Sequence, residues 1–247
     1  MVPDALVLLD GSTALSVSER AGLKAWFAAY FRWFRDSANG KEEAAAKNNH
    51  GTFYDIQAIS FARFIGLADT AAALALASRT RRIAEQIEPD GSMPEELKRT
   101  KALHYVAFNL WALFDLAAVG GKSGVDIWNH QTSDGRSLRR AMEWAKPYFL
   151  GDKPWTWQQI EPFNYHEAMV DFLQASQGFH DKVYYQDAAR VKGADLAGDI
   201  GFLLYHPDSP SGIRPVAPGA IPLDLGRRVD ALGRLETSIH GAAFIGR

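Results

Sequence analysis

The chain has 247 residues, 47% hydrophobic and 23% charged, which is enough for one domain with a sizeable core. A formal net charge of -2 offers no basic bulk for nucleic acid, so an anionic partner would have to be met by a local basic site. With no cysteine there can be no disulfide, zinc–thiolate centre or thiol nucleophile, and no run reaches the roughly 18 apolar residues of a membrane span.

The first ten residues have no basic region, and their short apolar run is broken by Pro3 and Asp4. They read as a helix inside a domain and not as a signal peptide. Ser16 and Glu19 have capping-box spacing and open a helix to about Asp36. Along it Trp26, Tyr30 and Trp33 recur at helical spacing, as do Phe27, Phe31 and Phe34. Aromatics on two faces predict a helix buried on both sides or lining a cleft, and Gly40 is expected to end the segment. A second helix is predicted over 53–66, with Ile56, Ile59, Phe61 and Phe64 apolar. A third, over 70–87, carries Arg79, Arg81 and Arg82, which are expected on a solvated face.

Pro89-Asp90-Gly91 marks a turn, and Pro94 suits the first turn of a short helix through Arg99. Thr100 is expected to cap the next helix, whose stripe is Leu103, Val106, Leu110, Leu113 and Ala117, closed by Gly120-Gly121. Ser133-Asp134-Gly135 precedes another helix to about Phe149. A loop with two tryptophans spans 151–157, and two helices follow over 165–177 and 182–193. Strand alternation is absent. The helix–loop–helix rhythm, with polar residues gathered in the loops, predicts an all-α fold, a toroid of antiparallel α/α pairs over 1–205. Five of the 11 prolines fall between Pro207 and Pro222, so 206–247 is expected to be an irregular Pro/Gly-rich C-terminal tail.

Two polar clusters carry chemistry. The first is Asn48-Asn49-His50, just before the second helix. An Asn there is an ordinary N-cap, but two amides and an imidazole exceed what a cap needs. The second runs from Glu95 to Thr100 and is followed by His104-Tyr105. Arg99 and Tyr105 would lie about 120° apart on one continuous helix; a break at Thr100 would let Arg99 lean toward Tyr105. Trp155, Trp157 and Gln158 suit either sugar stacking with hydroxyl recognition or a loop pinned by buried indoles. No dinucleotide, P-loop, nucleophile-elbow or metal-binding histidine pattern is present, so neither cofactor nor metal is implied. Glu95 and Glu96 are adjacent on a short helix and face different ways, which disfavours a glycosidase pair.

The run Lys47-Asn48-Asn49-His50-Gly51-Thr52-Phe53-Tyr54-Asp55 resembles the N-N-H signature of the alginate lyase family of polysaccharide lyases. Asp90-Gly91-Ser92-Met93-Pro94-Glu95-Glu96-Leu97, followed by Arg99 and Tyr105, is similar to that family's second motif, D-G-x-x-P-x-E-L. The resemblance covers about residues 1–205. It implies an α/α toroid and metal-free β-elimination on a uronate polymer, mannuronate-rich alginate or glucuronan, outside the cytoplasm. It assigns catalysis to Asn49, His50, Arg99 and Tyr105. Substrate contacts are expected from Asn48, Tyr54, His104, Trp155, Trp157 and Gln158. The family's helices before this point lead one to expect that the chain begins downstream of the fold's start. The implied partner is an acidic polysaccharide, with no nucleic acid or membrane. A non-catalytic polysaccharide-binding domain and a purely structural helical scaffold stand as the other readings.

Overall fold

Ser16 begins the first long helix through a reciprocal bond pair. Its hydroxyl accepts from the Glu19 N–H at 3.2 Å, and the Glu19 carboxylate accepts from the Ser16 N–H at 2.8 Å. The computed structural model describes residues 2–9 and 11–205, within the unit Met1–Ser211. The Pro/Gly-rich stretch expected over 206–247 lies outside the described residues.

The described elements are α1 (Val2–Leu8), α2 (Val17–Asp36), α3 (Ala38–Ala45), α4 (Asn49–Ile65), α5 (Ala68–Ser78) with a π-helical continuation Arg79–Ala84, α6 (Pro94–Leu97), α7 (Ala102–Gly121), α8 (Leu138–Phe149), α9 (Tyr165–Phe179), α10 (Lys182–Arg190) and α11 (Ile200–Tyr205). The fold is all-α. Among the described residues the only β-type pairing is an isolated bridge between Lys101 and Gln159. α4 packs against α2, α5 and α7, and α7 packs in turn against α8 and α9, which pairs with α10. These helix-on-helix layers are those of an α/α toroid.

Three expectations need correcting. Gly40 does not end the first segment. Ser37 ends α2, its N–H bonded to the Trp33 carbonyl, and restarts the chain as α3 by accepting from the Gly40 N–H at 3.1 Å. Gly40 is buried inside α3, where a Cβ would come within 1.7 Å of the Phe34 carbonyl oxygen, so the close approach requires glycine. Of the two readings of the α2 aromatics, burial on both faces does not hold, and Trp26 and Tyr30 instead line a cleft with Pro3, Leu23 and Gln57. Phe27, Phe31 and Phe34 enter the core, while Trp26 and Trp33 remain 57% and 52% exposed. Finally, α7 is long and apolar enough to cross a membrane. It is instead the central helix of the core, burying Leu103, Val106, Leu110, Leu113 and Leu116. Each such side chain contributes about 1.5–3 kcal/mol of transfer free energy.

Candidate active site

The first polar cluster is the N-terminus of α4. Asn48 is its cap, the amide oxygen accepting from the His50 N–H at 3.1 Å. Asn49 and His50 are therefore the first two residues of the helix, and they point differently. His50 is exposed, its Nδ1 3.0 Å from the Glu43 carboxylate on α3. A proton on that nitrogen, held by the carboxylate, leaves Nε2 facing away from Glu43. Asn49 is 4% exposed. Its backbone N–H donates to Glu96 Oε1 at 2.6 Å, and its Nδ2 lies 3.1 and 3.0 Å from the two oxygens of that carboxylate.

Glu96 is 1% exposed. Burial pushes its carboxyl above the usual range, against the hydrogen bonds from Asn49 and the charges of Arg99 and His50, which pull it down. One buried carboxyl group thus sits within the electrostatic reach of both polar clusters.

A buried network holds this turn rigid. The Gln86 amide donates to the Asn48 carbonyl at 3.2 Å, and its oxygen accepts from Thr52 and Asn109. Arg82 donates to the carbonyls of Ala44 and Ala46 at 2.9 and 2.8 Å, and through Nε to Asp55 at 2.8 Å. Arg81 donates to the other Asp55 oxygen at 2.9 Å. The expected solvated arginine face is therefore wrong for Arg82, which is 1% exposed, and for Arg81, which is half-buried. The π-helical turn Arg79–Ala84 changes the rotation per residue and carries both guanidinium groups inward onto Asp55. Gly51 leaves room for Arg82: a Cβ there would lie 2.1 Å from the Ala46 carbonyl oxygen and 2.4 Å from Arg82 Nη1.

The second cluster is divided by a break. α6 stops at Leu97 and α7 starts at Ala102, so Arg99 leaves the helical path and its guanidinium carbon rests 3.8 Å from the centroid of the Tyr105 ring. Thr100 does not cap α7; the N-cap is Lys101, which makes no side-chain cap bond. The loop after α8 takes over that role. The Gln158 carbonyl accepts from the Ala102 N–H, and the Gln159 side chain accepts from the Leu103 N–H, each at 3.0 Å. The Ile160 N–H returns a bond to the Thr100 carbonyl.

These bonds bring the expected substrate-contact loop beside Arg99 and Tyr105. Gln158 is exposed. Trp155 and Trp157 are half-buried, 4.8 Å apart, and packed with Trp144 and Tyr148 in one aromatic cluster. His104 is half-buried, its Nδ1 2.7 Å from Glu167 on α9, its ring stacked on Phe108 and edge-on to Tyr105.

Tyr54 does not join this group. It is 5% exposed and stacked on Phe34 at 4.5 Å, and burial raises its phenol above the ordinary value. Nearly two turns into α4 from the cap, its side chain faces the core, so the expected substrate contact is replaced by packing.

Three supporting carboxylates emerge only from the structure. Glu96 stands in the sequence as the acid of the D-G-x-x-P-x-E-L run, but nothing in that run points to its grip on Asn49. Glu43 and Glu167 carried no signal, because each meets its histidine across a helix boundary.

Comparison with known proteins adds identity to this geometry. A model of the family described as alginate lyase matches residues 1–157. A crystal structure of an alginate lyase from Bacteroides ovatus is 34% identical, with a TM-score of 0.73, over 78% of this chain. The match takes in 52% of that protein, so the chain spans about half its length. No curated protein matches the chain.

Proposed function

The chain belongs to the alginate lyase family, and from that premise we propose that it cleaves a β-1,4-linked polyuronate, mannuronate-rich alginate or glucuronan, by β-elimination. The observation that carries this reading is the contact of Arg99 with the Tyr105 ring at 3.8 Å, together with Glu96, which Asn49 hydrogen-bonds and on which the charges of both Arg99 and His50 act.

The difficulty in the reaction is the C5 proton, which is a weak acid because its loss sets a second negative charge beside the uronate carboxylate. Asn49 would donate to the carboxyl group, as would the doubly protonated ring of His50 through Nε2, and Arg99 would add its charge, stabilising the aci-carboxylate as an oxyanion hole does. Tyr105 would donate to the bridging O4 as the bond breaks, and its phenolate would take the C5 proton. Arg99 holds the ring by cation–π contact. In mannuronate and glucuronate the C5 proton and O4 share a side, so one phenol serves both steps. In guluronate they do not, and His50, oriented by Glu43, would be the base. Trp157 and Gln158 would bind neighbouring sugars, with His104 bordering the cleft. A polymer of this kind is met outside the cytoplasm, which makes a periplasmic or secreted site of action part of the proposal.

The test is incubation with polymannuronate, polyguluronate and glucuronan, following the ultraviolet absorbance of the new C4–C5 double bond. The expected result is unsaturated product from polymannuronate or glucuronan. Binding without product would favour the non-catalytic domain, and neither binding nor product would remove the proposal.

A further inference from the structure

We propose that Glu96 is a positioning residue that fixes the side-chain amide of Asn49 for the substrate carboxylate; this rests on the lyase reading above. An ionised carboxylate only accepts hydrogen bonds. With Glu96 contacting Nδ2 at 3.1 and 3.0 Å and the Asn49 backbone N–H at 2.6 Å, the amide can present only its nitrogen to Glu96. The flip of Asn49 is thereby decided, and so is its rotamer. The two oxygens share the approach of one amide hydrogen, which leaves the second hydrogen of Nδ2 for another acceptor. A free asparagine at a helix start would sample both flips, and half of them would turn an oxygen toward an incoming carboxylate.

Glu96 does a second thing. Its carbonyl accepts from the Arg99 N–H at 3.1 Å, so the residue that grips Asn49 also closes the turn from which Arg99 departs. Glu96 does not reach the sugar: it is 1% exposed, behind Asn49. Its effect passes through Asn49, and it belongs to the cost of holding a group in productive geometry.

The experiment is a double-mutant cycle with Glu96→Gln and Asn49→Ala on the full chain, measured on polymannuronate. Glu96→Gln keeps the volume but sets an amide against an amide. The expected result is a fall in kcat of about 10–100-fold with KM changed less than about threefold, and no further loss when Asn49→Ala is added. Losses that multiply, or an unchanged kcat in Glu96→Gln, would overturn the proposal while leaving the lyase reading in place. A wild-type chain inactive on all three polymers would overturn the lyase reading and this proposal with it. Should Glu96→Gln fail to fold, the wild type decides by NMR. The Asn49 side-chain amide must be protected from exchange in the free protein and keep that protection with a mannuronate oligomer bound. Loss of protection on binding would overturn the assignment.

Discussion

The Arg99 guanidinium lies face-on to the Tyr105 ring, 3.8 Å from its centroid, because the chain breaks its helical path between Leu97 and Ala102. A continuous helix would have turned the two side chains about 120° apart. The break therefore builds the acid–base candidate, and the loop that caps α7 through Gln158 and Gln159 holds the break open. Tyr105→Phe keeps the stacked ring and removes the hydroxyl. It should lower the rate of unsaturated product formation by about 10²–10⁴-fold with the melting temperature unchanged within error. Arg99→Lys should lose about 10²-fold, since an ammonium cannot lie flat on the ring and spreads its charge differently. Both are read by absorbance.

The Glu43–His50 pair is exposed at both ends, with side chains 42% and 51% accessible. An interaction of that kind is worth about 0.2–1 kcal/mol. Glu43→Gln should therefore cost no more than about fivefold in kcat. The loss should be larger on polyguluronate, where His50 is the proposed base, than on polymannuronate. Equal losses on the two polymers would separate Glu43 from the base function.

Asp55 is fully buried between Arg81 and Arg82. Burial raises its carboxyl pKa, and the two guanidinium groups oppose that rise. Asp55→Ala leaves Arg82 without its counter-ion in the core and should destabilise the fold by about 3–5 kcal/mol. Urea unfolding would report this as a lower midpoint. Because Arg82 also holds the Ala44 and Ala46 carbonyls, activity should fall before the global transition begins.

Asp171, on α9, is fully buried, and among the described residues neither carboxylate oxygen has a hydrogen-bond partner. Burial holds its carboxyl well above the usual carboxylate range, and the charges of Glu167 and Asp115 push the same way. An acid with a raised folded-state pKa is bound to its proton more tightly in the folded chain. Its favourable contribution is present below the ordinary carboxylate pKa of about 4 and is lost as pH rises through the raised value. Wild-type stability should therefore decline as pH rises above the ordinary carboxylate range, and Asp171→Asn should flatten that decline. Denaturant titrations at several pH values would check it; parallel curves for the two proteins would show that Asp171 is not the group responsible.

Much of the architecture could be read from the residues because the signals are local. The Ser16–Glu19 box, Pro94 at a helix start and the apolar stripe of α7 act within one or two turns, where capping and periodicity carry their own energetics. The same locality misled at Gly40, where Ser37 supplies the stop, and at Thr100, where the cap comes from a loop more than fifty residues away.

The residue types and their spacing mark the Asn48–His50 turn and the Arg99–Tyr105 pair as polar clusters, and show that only a break between the last two lets them meet, which the structure contains. Packing alone determined that Arg82 is buried on Asp55, that Tyr54 is core, and that Glu96 grips Asn49. Whether a charged or phenolic side chain faces water or the interior depends on which distant groups can satisfy it once desolvated. Those partners are brought together only when the helices close on one another.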